Sequence, residues 1–472
     1  MNASTLALHP LDLAMIAAYF GALVAAMALR PRGGGLRSST LEYVLAGRRL
    51  TMPLFVATTV TTWYGGILGL SEYSYSYGLA NWVVFGVPYY AAALLYAFWL
   101  VHRSRRSAAL TMPAQLRRHY GASVGWAGAL LTWVYATPAP YVIQLGLLMH
   151  LIVGWPVWLG TTLGTVLSLV YLWRGGLRTN VWVDVGQFAL MFGGFIALVG
   201  TCAWQYGGLG FIRAHVPPEL LTWTGGNAPQ SIIVWFVIAL VTLVDPTFHQ
   251  RITAAESSRT ARMGLVWSVA AWGAFDFMQT AAGLYARAIL PHLDVPAEAY
   301  PRLATAVLVP GLNGLFWLAM LATVVSTISG YGLSAAVLFG HELMLPWMRR
   351  RRVRNGWPRM GIGLVVTGLA SAIIGSALGS VVTIWHDVGS VVAPALLVPL
   401  TTAMADRPLT RRGAWACIVG GGGLSLAWAI AGHLAPDGAY PLGVEPICSG
   451  LALTVLVGIV ARRDRIVHRE PR

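Results

Sequence analysis

Lysine is absent from this chain, cysteine occurs three times, and only 10% of the 472 residues are charged. A soluble protein carries about a quarter charged residues, so a water-facing globular surface is excluded. The three cysteines (Cys202, Cys417 and Cys448) stand far apart without CxxC or CxxH spacing, which leaves no cysteine-based metal site. Only Cys202 and Cys448, both near outer helix ends, are placed to pair. No connection is long or polar enough to divide the chain into two folded domains, and no strand pattern interrupts the helical periodicity. Replacement of every lysine by arginine points to a high-GC genome, hence to a bacterium.

What is present is apolar surface. The chain is 57% hydrophobic, and runs near the ~20 residues that span a hydrocarbon core recur from end to end. The pattern predicts an all-α polytopic membrane protein of about 13 transmembrane helices. They fall near 11–29, 51–77, 79–101, 122–152, 155–174, 180–203, 229–248, 263–290, 306–345, 360–380, 383–404, 413–433 and 446–461. The first run lacks a preceding basic residue and a following small-residue cleavage site, so it reads as a retained helix. The two largest outer connections, near 204–228 and 291–305, carry Pro and Gly and are expected to hold short surface helices.

The net charge of +15 is carried by 32 arginines. Alternate connections hold all of them but Arg213, Arg287 and Arg302. Under the positive-inside rule this puts the N-terminus outside and the C-terminus in the cytoplasm of a multi-pass inner (plasma) membrane protein. The basic balance therefore reports topology and lipid contact, with RRRRVR (349–354) as one anionic-lipid candidate. Nucleic acid is set aside as a partner.

Two helices break the apolar pattern. The second packs four threonines, four glycines and a glutamate into ATTVTTWYGGILGLSEYSYSYG (57–78), and the seventh carries the Asp245-Pro246 pair. A Gly pair loosens the helical ladder and proline removes a donor, so both can unwind locally. Broken helices at corresponding positions of two halves point to the midplane site of an inverted-repeat transporter; each alone reads equally as an ordinary kink.

Six segments in order resemble the sodium:solute symporter family: LEYVLAGRRL (41–50), GLSEYSYSYGL (69–79), TMPAQLRRHYG (111–121), GGLRTNVWVDVGQFALMF (175–192), HQRITAAES (249–257) and ATVVSTISGYGLSAA (322–336). In the third, Gln115 stands near the usual Glu. The resemblance covers nearly the whole chain. It implies a LeuT-like 5+5 inverted-repeat core formed by helices 2–11, with one leading and two trailing helices. The chain then divides into a leading helix and cytoplasmic loop (1–50), a first repeat (51–204), a second repeat (228–405) and trailing helices with a short cytoplasmic tail (406–472).

The resemblance also implies a sodium site. Its ligands map to the carbonyls of Thr59, Thr62 and Thr323 and the hydroxyls of Ser326 and Thr327. Thr323, Ser326 and Thr327 are spaced i, i+3, i+4, which puts them on one helix face. Small residues there are equally suited to close helix packing. Asp184 and Ser329 map to a second sodium site or an exit path, although Gly330 replaces a further hydroxyl of some members. A carboxylate like Asp184 inside a span is costly and functional by default; the plain alternative is interaction with its own helix dipole.

Candidates for the solute pocket are Trp63, Gly66 and Glu72 on the second helix, Thr242 and Asp245 on the seventh, Trp272, Asp276 and Gln279 on the eighth, and His386 and Asp387 on the eleventh. Ile238 and Thr242 replace aromatic residues of the family's proline transporters, which argues against a proline pocket of that type. Glu72, Asp245, Asp276 and Asp387 have no basic residue in the same spans, which suits an amine-bearing solute; protonated, hydrogen-bonding carboxyls fit equally. The four-glycine run 420–423 has no Lys-Ser/Thr after it and reads as helix packing.

The function expected is sodium-coupled symport of a small polar organic solute by alternating access, with Na+ as coupling ion, no organic cofactor and no obligate protein partner evident. Proton coupling on the same fold and a transporter-like sensor are the alternatives. A membrane enzyme would need a richer His/Asp set than the His386-Asp387 pair.

Overall fold

The computed structural model describes residues 5–28, 40–107, 109–344, 357–378, 381–436 and 439–461. The RRRRVR segment, the arginines of 30–37 and the C-terminal tail lie outside these. Helices make up the architecture, and among the described residues the one β-type contact is an isolated parallel bridge between Leu50 and Ala255.

The principal elements are α1 (Pro10–Ala28), α2 (Thr40–Leu45), α3 (Met52–Thr61), α4 (Ile67–Tyr77), α5 (Ala80–Arg106), α6 (Pro113–Tyr120), α7 (Ala122–Ala136), α8 (Ala139–Val153) and α9 (Val157–Val170). They continue with α10 (Leu172–Tyr206), α11 (Pro229–Ile238), α12 (Pro246–Ala254), α13 (Ser258–Ile289), α14 (Leu312–Leu343), α15 (Trp357–Leu378), α16 (Val381–Met404), α17 (Arg411–Leu434) and α18 (Pro446–Val460). Each apolar stretch read from the sequence contains helix among the described residues, several of them interrupted. Among the described residues, however, only six helices are long and apolar enough to cross a bilayer, or seven with the bent α11–α12 pair. The count of thirteen is thus not established by length and composition.

Several boundaries differ from the sequence reading. The stretch 122–152 is two helices, because Thr137 precedes Pro138 and is pushed to extended geometry (φ −64°, ψ 130°). The stretch 306–345 begins only at Leu312, preceded by a separate short helix, Ala299–Val307, which is mostly buried where a surface helix was expected. A short, largely exposed helix, Leu209–His215, occupies the other long connection. Cys202, Cys417 and Cys448 are all free thiols.

α14 is the axis of the molecule. Every residue from Phe316 to Val337 is buried, the condition of a helix surrounded by protein on all sides. Small residues bring its neighbours close: a Cβ on Gly194 of α10 would lie 2.4 Å from the Ala319 methyl. Its N-terminus is capped from another element, since Asp12 of α1 accepts from the Gly311 and Gly314 amides at 2.7 and 2.9 Å. In the trailing pair, Gly421 of α17 abuts Thr454 of α18, so the glycine run is a helix contact.

The two breaks lie where the sequence placed them. α3 ends at Thr61 and α4 resumes at Ile67. Between them, a Cβ on Gly65 would sit 2.4 Å from Thr327 and one on Gly66 1.8 Å from the Trp385 ring, so only glycine fits at either position. α11 tightens into a 3-10 turn over Ala239–Val244, Asp245 is extended, and α12 leaves at 43°. The two broken helices are joined near one end, with Leu50 N–H donating to Ala254 O and Glu256 N–H to Leu50 O, both at 3.0 Å. Arg105 of α5 clamps the last carbonyls of α12, donating to Ile252 O at 2.9 Å.

Backbone groups freed in an apolar interior need partners. At the first break Gln144 of α8 supplies them: its Oε1 accepts from Leu68 N–H at 2.8 Å and its Nε2 donates to Gly65 O at 2.9 Å. A buried amide left unpaired costs about 1–3 kcal/mol. Gln144→Leu is therefore expected to destabilise the protein by about 2 kcal/mol or more. Gln144→Glu, which keeps the acceptor, should cost less. Thermal unfolding of the two variants beside the parent checks this; equal losses would show that the backbone bonds are not what Gln144 contributes.

Candidate functional site

The first break, α10, α12 and α14 converge on Asp184, which is fully buried. Its carboxylate accepts from the Thr58 hydroxyl of α3, from Ser326 Oγ of α14 at 2.6 Å and from Asn180 Nδ2 at 2.8 Å. Arg251 of α12, 1% exposed, reaches into the same place. Its Nε donates to Thr58 Oγ1 (3.3 Å), its Nη2 to Thr62 Oγ1 (2.6 Å) and its Nη1 to Thr247 O (3.2 Å). The four acids named from the sequence have no basic residue in their own spans, but Arg251 enters from a stretch that the sequence assigned to a connection.

The five residues mapped as sodium ligands lie on α14 and at the end of α3, which approach each other where a Cβ on Gly65 would sit 2.4 Å from Thr327. Trp63 N–H bonds to Val60 O at 3.2 Å instead of to Thr59. The carbonyls of Thr59 and Thr62 therefore have no i+4 partner among the described residues. Opposite them, Thr327 Oγ1 donates to Thr323 O at 2.9 Å and approaches Thr61 O at 3.4 Å. Ser326 gives its proton to Asp184 and Thr327 gives its own to a carbonyl. Each hydroxyl thus keeps oxygen lone pairs for a hard cation, which takes oxygen ligands. Ser329 donates to Ser326 O at 2.9 Å and makes no hydrogen bond to Asp184. The space a side chain at position 330 would fill is held by Thr62 and by Arg251 Nη2, 2.6 and 2.9 Å from an added Cβ.

Above the break lies a cavity with about 980 Å³ of empty space, open solvent included. Trp63 and Asp276 line it, and eight of its twenty lining residues are aromatic. Trp272 stands behind Trp63, with ring centroids 5.4 Å apart. Asp245 is not in the lining itself but is bonded to two residues that are, Tyr331 and Tyr135, whose hydroxyls donate to its Oδ2 at 2.8 and 3.1 Å. Its Oδ1 caps α12, accepting from Thr247 N–H at 2.7 Å and Phe248 N–H at 3.2 Å.

Other solute-pocket candidates lie elsewhere. Glu72 is exposed. Gly66 is covered by the Trp385 ring. Thr242 and Gln279 are buried outside the cavity lining, their side-chain polar atoms without partners among the described residues. His386 and Asp387 turn toward the trailing helices: His386 bonds Glu445 at 3.0 Å, and His433 bonds Asp387 at 2.9 Å. Their neighbour Trp385 takes the cavity side instead. A helix that is apolar nearly all round gives no sequence cue to which of three successive polar or aromatic residues faces inward.

Thr58, Arg251, Gln144, Tyr135 and Tyr331 were not singled out from the sequence. A lone glutamine inside the apolar run 139–153 was the available signal for Gln144. Arg251 carried none, since an arginine at a span's end reads first as a topology marker.

The described geometry agrees with what the chain is similar to. Residues 43–421 match the model of the "Sodium:solute symporter family". The sodium/pantothenate symporter of Escherichia coli K12 is 25% identical over 95% of both chains. The human sodium/glucose cotransporter 4 is 24% identical over 90% of this chain and 70% of its own length. For its mouse counterpart, 23% identical, the chain spans 58% of the relative's length. A Na+-coupled sialic acid symporter in a substrate-bound, outward-open state has the same fold (TM-score 0.77, 16% identity, 96% and 97% coverage). A nucleobase-cation-symport-1 transporter is more distant at TM-score 0.55 and 14% identity. Two broken helices around a buried Ser/Thr face, within a match that spans most of the sequence, lead to one assignment: this chain belongs to the sodium:solute symporter family, whose members are membrane transporters and not enzymes.

Proposed function

We propose that the chain imports a small polar organic solute by alternating access, driven by sodium bound between the first break and α14. The observation that carries this reading is the approach of the Thr327 hydroxyl to the end of α3, 3.4 Å from Thr61 O, beside the carbonyls of Thr59 and Thr62, which have no i+4 partner among the described residues. A cage of neutral oxygens binds sodium tightly enough to couple and weakly enough to release. Asp184 orients the Ser326 hydroxyl and gives the departing ion a carboxylate on its way to the cytoplasm. Arg251 adds a fixed positive charge beside the cage that lowers its affinity for a cation. The solute occupies the aromatic cavity above.

The two repeats are proposed to run over 51–204 and 228–405, because each opens with a broken helix. Rocking of one repeat bundle against the other would then expose the cavity to either side. The N-terminus is placed outside and the C-terminus in the cytoplasm on the arginine asymmetry.

Sodium in place of choline at equal ionic strength is expected to raise the unfolding temperature of the purified protein. At ten times its Kd a ligand of the folded state stabilises by about 1.4 kcal/mol. Ser326→Ala combined with Thr327→Ala should abolish the sodium shift. A parent protein indifferent to sodium but stabilised by acid would replace sodium with proton coupling.

The proposed topology is checked by single cysteines in a background where Cys202, Cys417 and Cys448 are serine. Glu219→Cys and Arg259→Cys both occupy exposed positions. An impermeant maleimide should label the first in intact cells and the second only after permeabilisation; the reverse pattern would invert the orientation.

A further inference from the structure

The cavity's electrostatics are one-sided. Among its twenty lining residues there is one carboxylate, Asp276, and no arginine, lysine or histidine. Asp276 is 5% exposed and accepts the hydroxyl proton of Tyr90. Among the described residues no cation pairs with it, whereas Asp184 and Asp245 both lie in the field of Arg251. A carboxylate at such depth is costly unless a proton or a positive charge accompanies it. A carboxylate-bearing solute would meet this group with nothing cationic in the lining to receive it.

The hydrogen-bonding groups around the cavity point the same way. Four of the ring donors in the lining have committed protons: Tyr64 donates to Trp272 O at 3.2 Å, Tyr135 and Tyr331 donate to Asp245, and Trp385 Nε1 donates to the Tyr141 hydroxyl at 3.2 Å. Where these protons are spent, a guest meets phenolic oxygen and ring face, both electron-rich. Trp63 and Tyr89 meet edge to face at 5.3 Å, and Tyr141 stands 6.2 Å from Trp385. Such rings attract an ammonium through their quadrupoles, most strongly where water is excluded. Sugars would use the acceptors but leave Asp276 without a counter-charge.

We propose that the solute carried through this cavity is a small organic cation, an amine or quaternary ammonium, held against Asp276 by the surrounding rings. This rests on the symport reading above and adds the solute's charge class to it. The relatives named for glucose and pantothenate would then differ from this chain at the cavity while sharing its fold.

The test uses the purified full-length protein in sodium, with tryptophan fluorescence as the readout. The probes are tetramethylammonium, choline and ethanolamine, beside 3,3-dimethyl-1-butanol (the uncharged carbon isostere of choline), acetate, pantothenate and glucose. At least one cation is expected to give a saturable change, with the isostere binding tenfold more weakly or worse and the anions giving none. Asp276→Asn should lose the cation response at least tenfold while keeping stabilisation by sodium. A response to acetate, pantothenate or glucose with none to the three cations would overturn the proposal, as would equal binding of choline and its isostere. Silence toward all three cations also sinks it. The isostere comparison needs no variant, so it stands even if Asp276→Asn fails to fold. Stabilisation by sodium is read separately: its loss in the parent would remove the symport reading, whereas its presence beside cation silence would remove only the charge class.

Discussion

The arrangement of the core depends on one buried carboxylate. Desolvating Asp184 costs several kcal/mol unless charge and hydrogen bonds offset it, and the donors come from α3, from α10 itself and from α14. Each can reach the carboxylate only if the helices hold their present register. The positive charge nearest to it, Arg251, is linked through Thr58 instead of by direct contact. The interaction therefore ties the first broken helix, the second broken helix and the central axis into one unit. It also decides which way the Ser326 hydroxyl points, and so which atoms remain for an ion.

The two breaks are stabilised by different chemistry suited to different ends. At the first, freed donor and acceptor lie close together, and the neutral amide of Gln144 serves both. At the second, α12 presents unpaired N–H groups at its N-terminus, and the Asp245 carboxylate suits their partial positive charge. The remaining oxygen of Asp245 takes two tyrosine protons. One residue thus holds the helix break and turns two phenolic oxygens into acceptors toward the cavity. Positioning of the fold and polarity of the pocket follow from the same bonds.

At the proposed sodium site the neutral oxygens and Arg251 would act against each other, in a way that suits a cycling carrier. Oxygen ligands without a formal charge bind sodium modestly, and a nearby guanidinium subtracts from that affinity. The guanidinium's donors are spent on Thr58, Thr62 and Thr247, all at the two breaks. A shift of α12 relative to α3 would change ion affinity and helix packing together. Binding and conformation are coupled most directly when they share bonds in this manner.

The sequence by itself determined the membrane class, the helical stretches and the positions of both breaks. These are properties of local composition: apolar run length, a Gly pair and an Asp-Pro pair act on the segment that contains them. The i, i+3, i+4 hydroxyl face of Thr323, Ser326 and Thr327 was legible for the same reason. Which polar residues meet was decided only by tertiary packing. Glu72, His386 and Asp387 looked like pocket residues because they are polar and intramembrane, yet their helices rotate them to the exterior or the trailing pair. Arg251 looked like a surface marker, yet helix α12 turns inward after its 43° bend and carries the guanidinium to the centre. In a chain that is apolar almost everywhere, hydrophobic periodicity is too weak to orient a helix. The azimuth of each helix follows instead from long-range partners such as Asp184 and Ser326, 142 positions apart in the sequence.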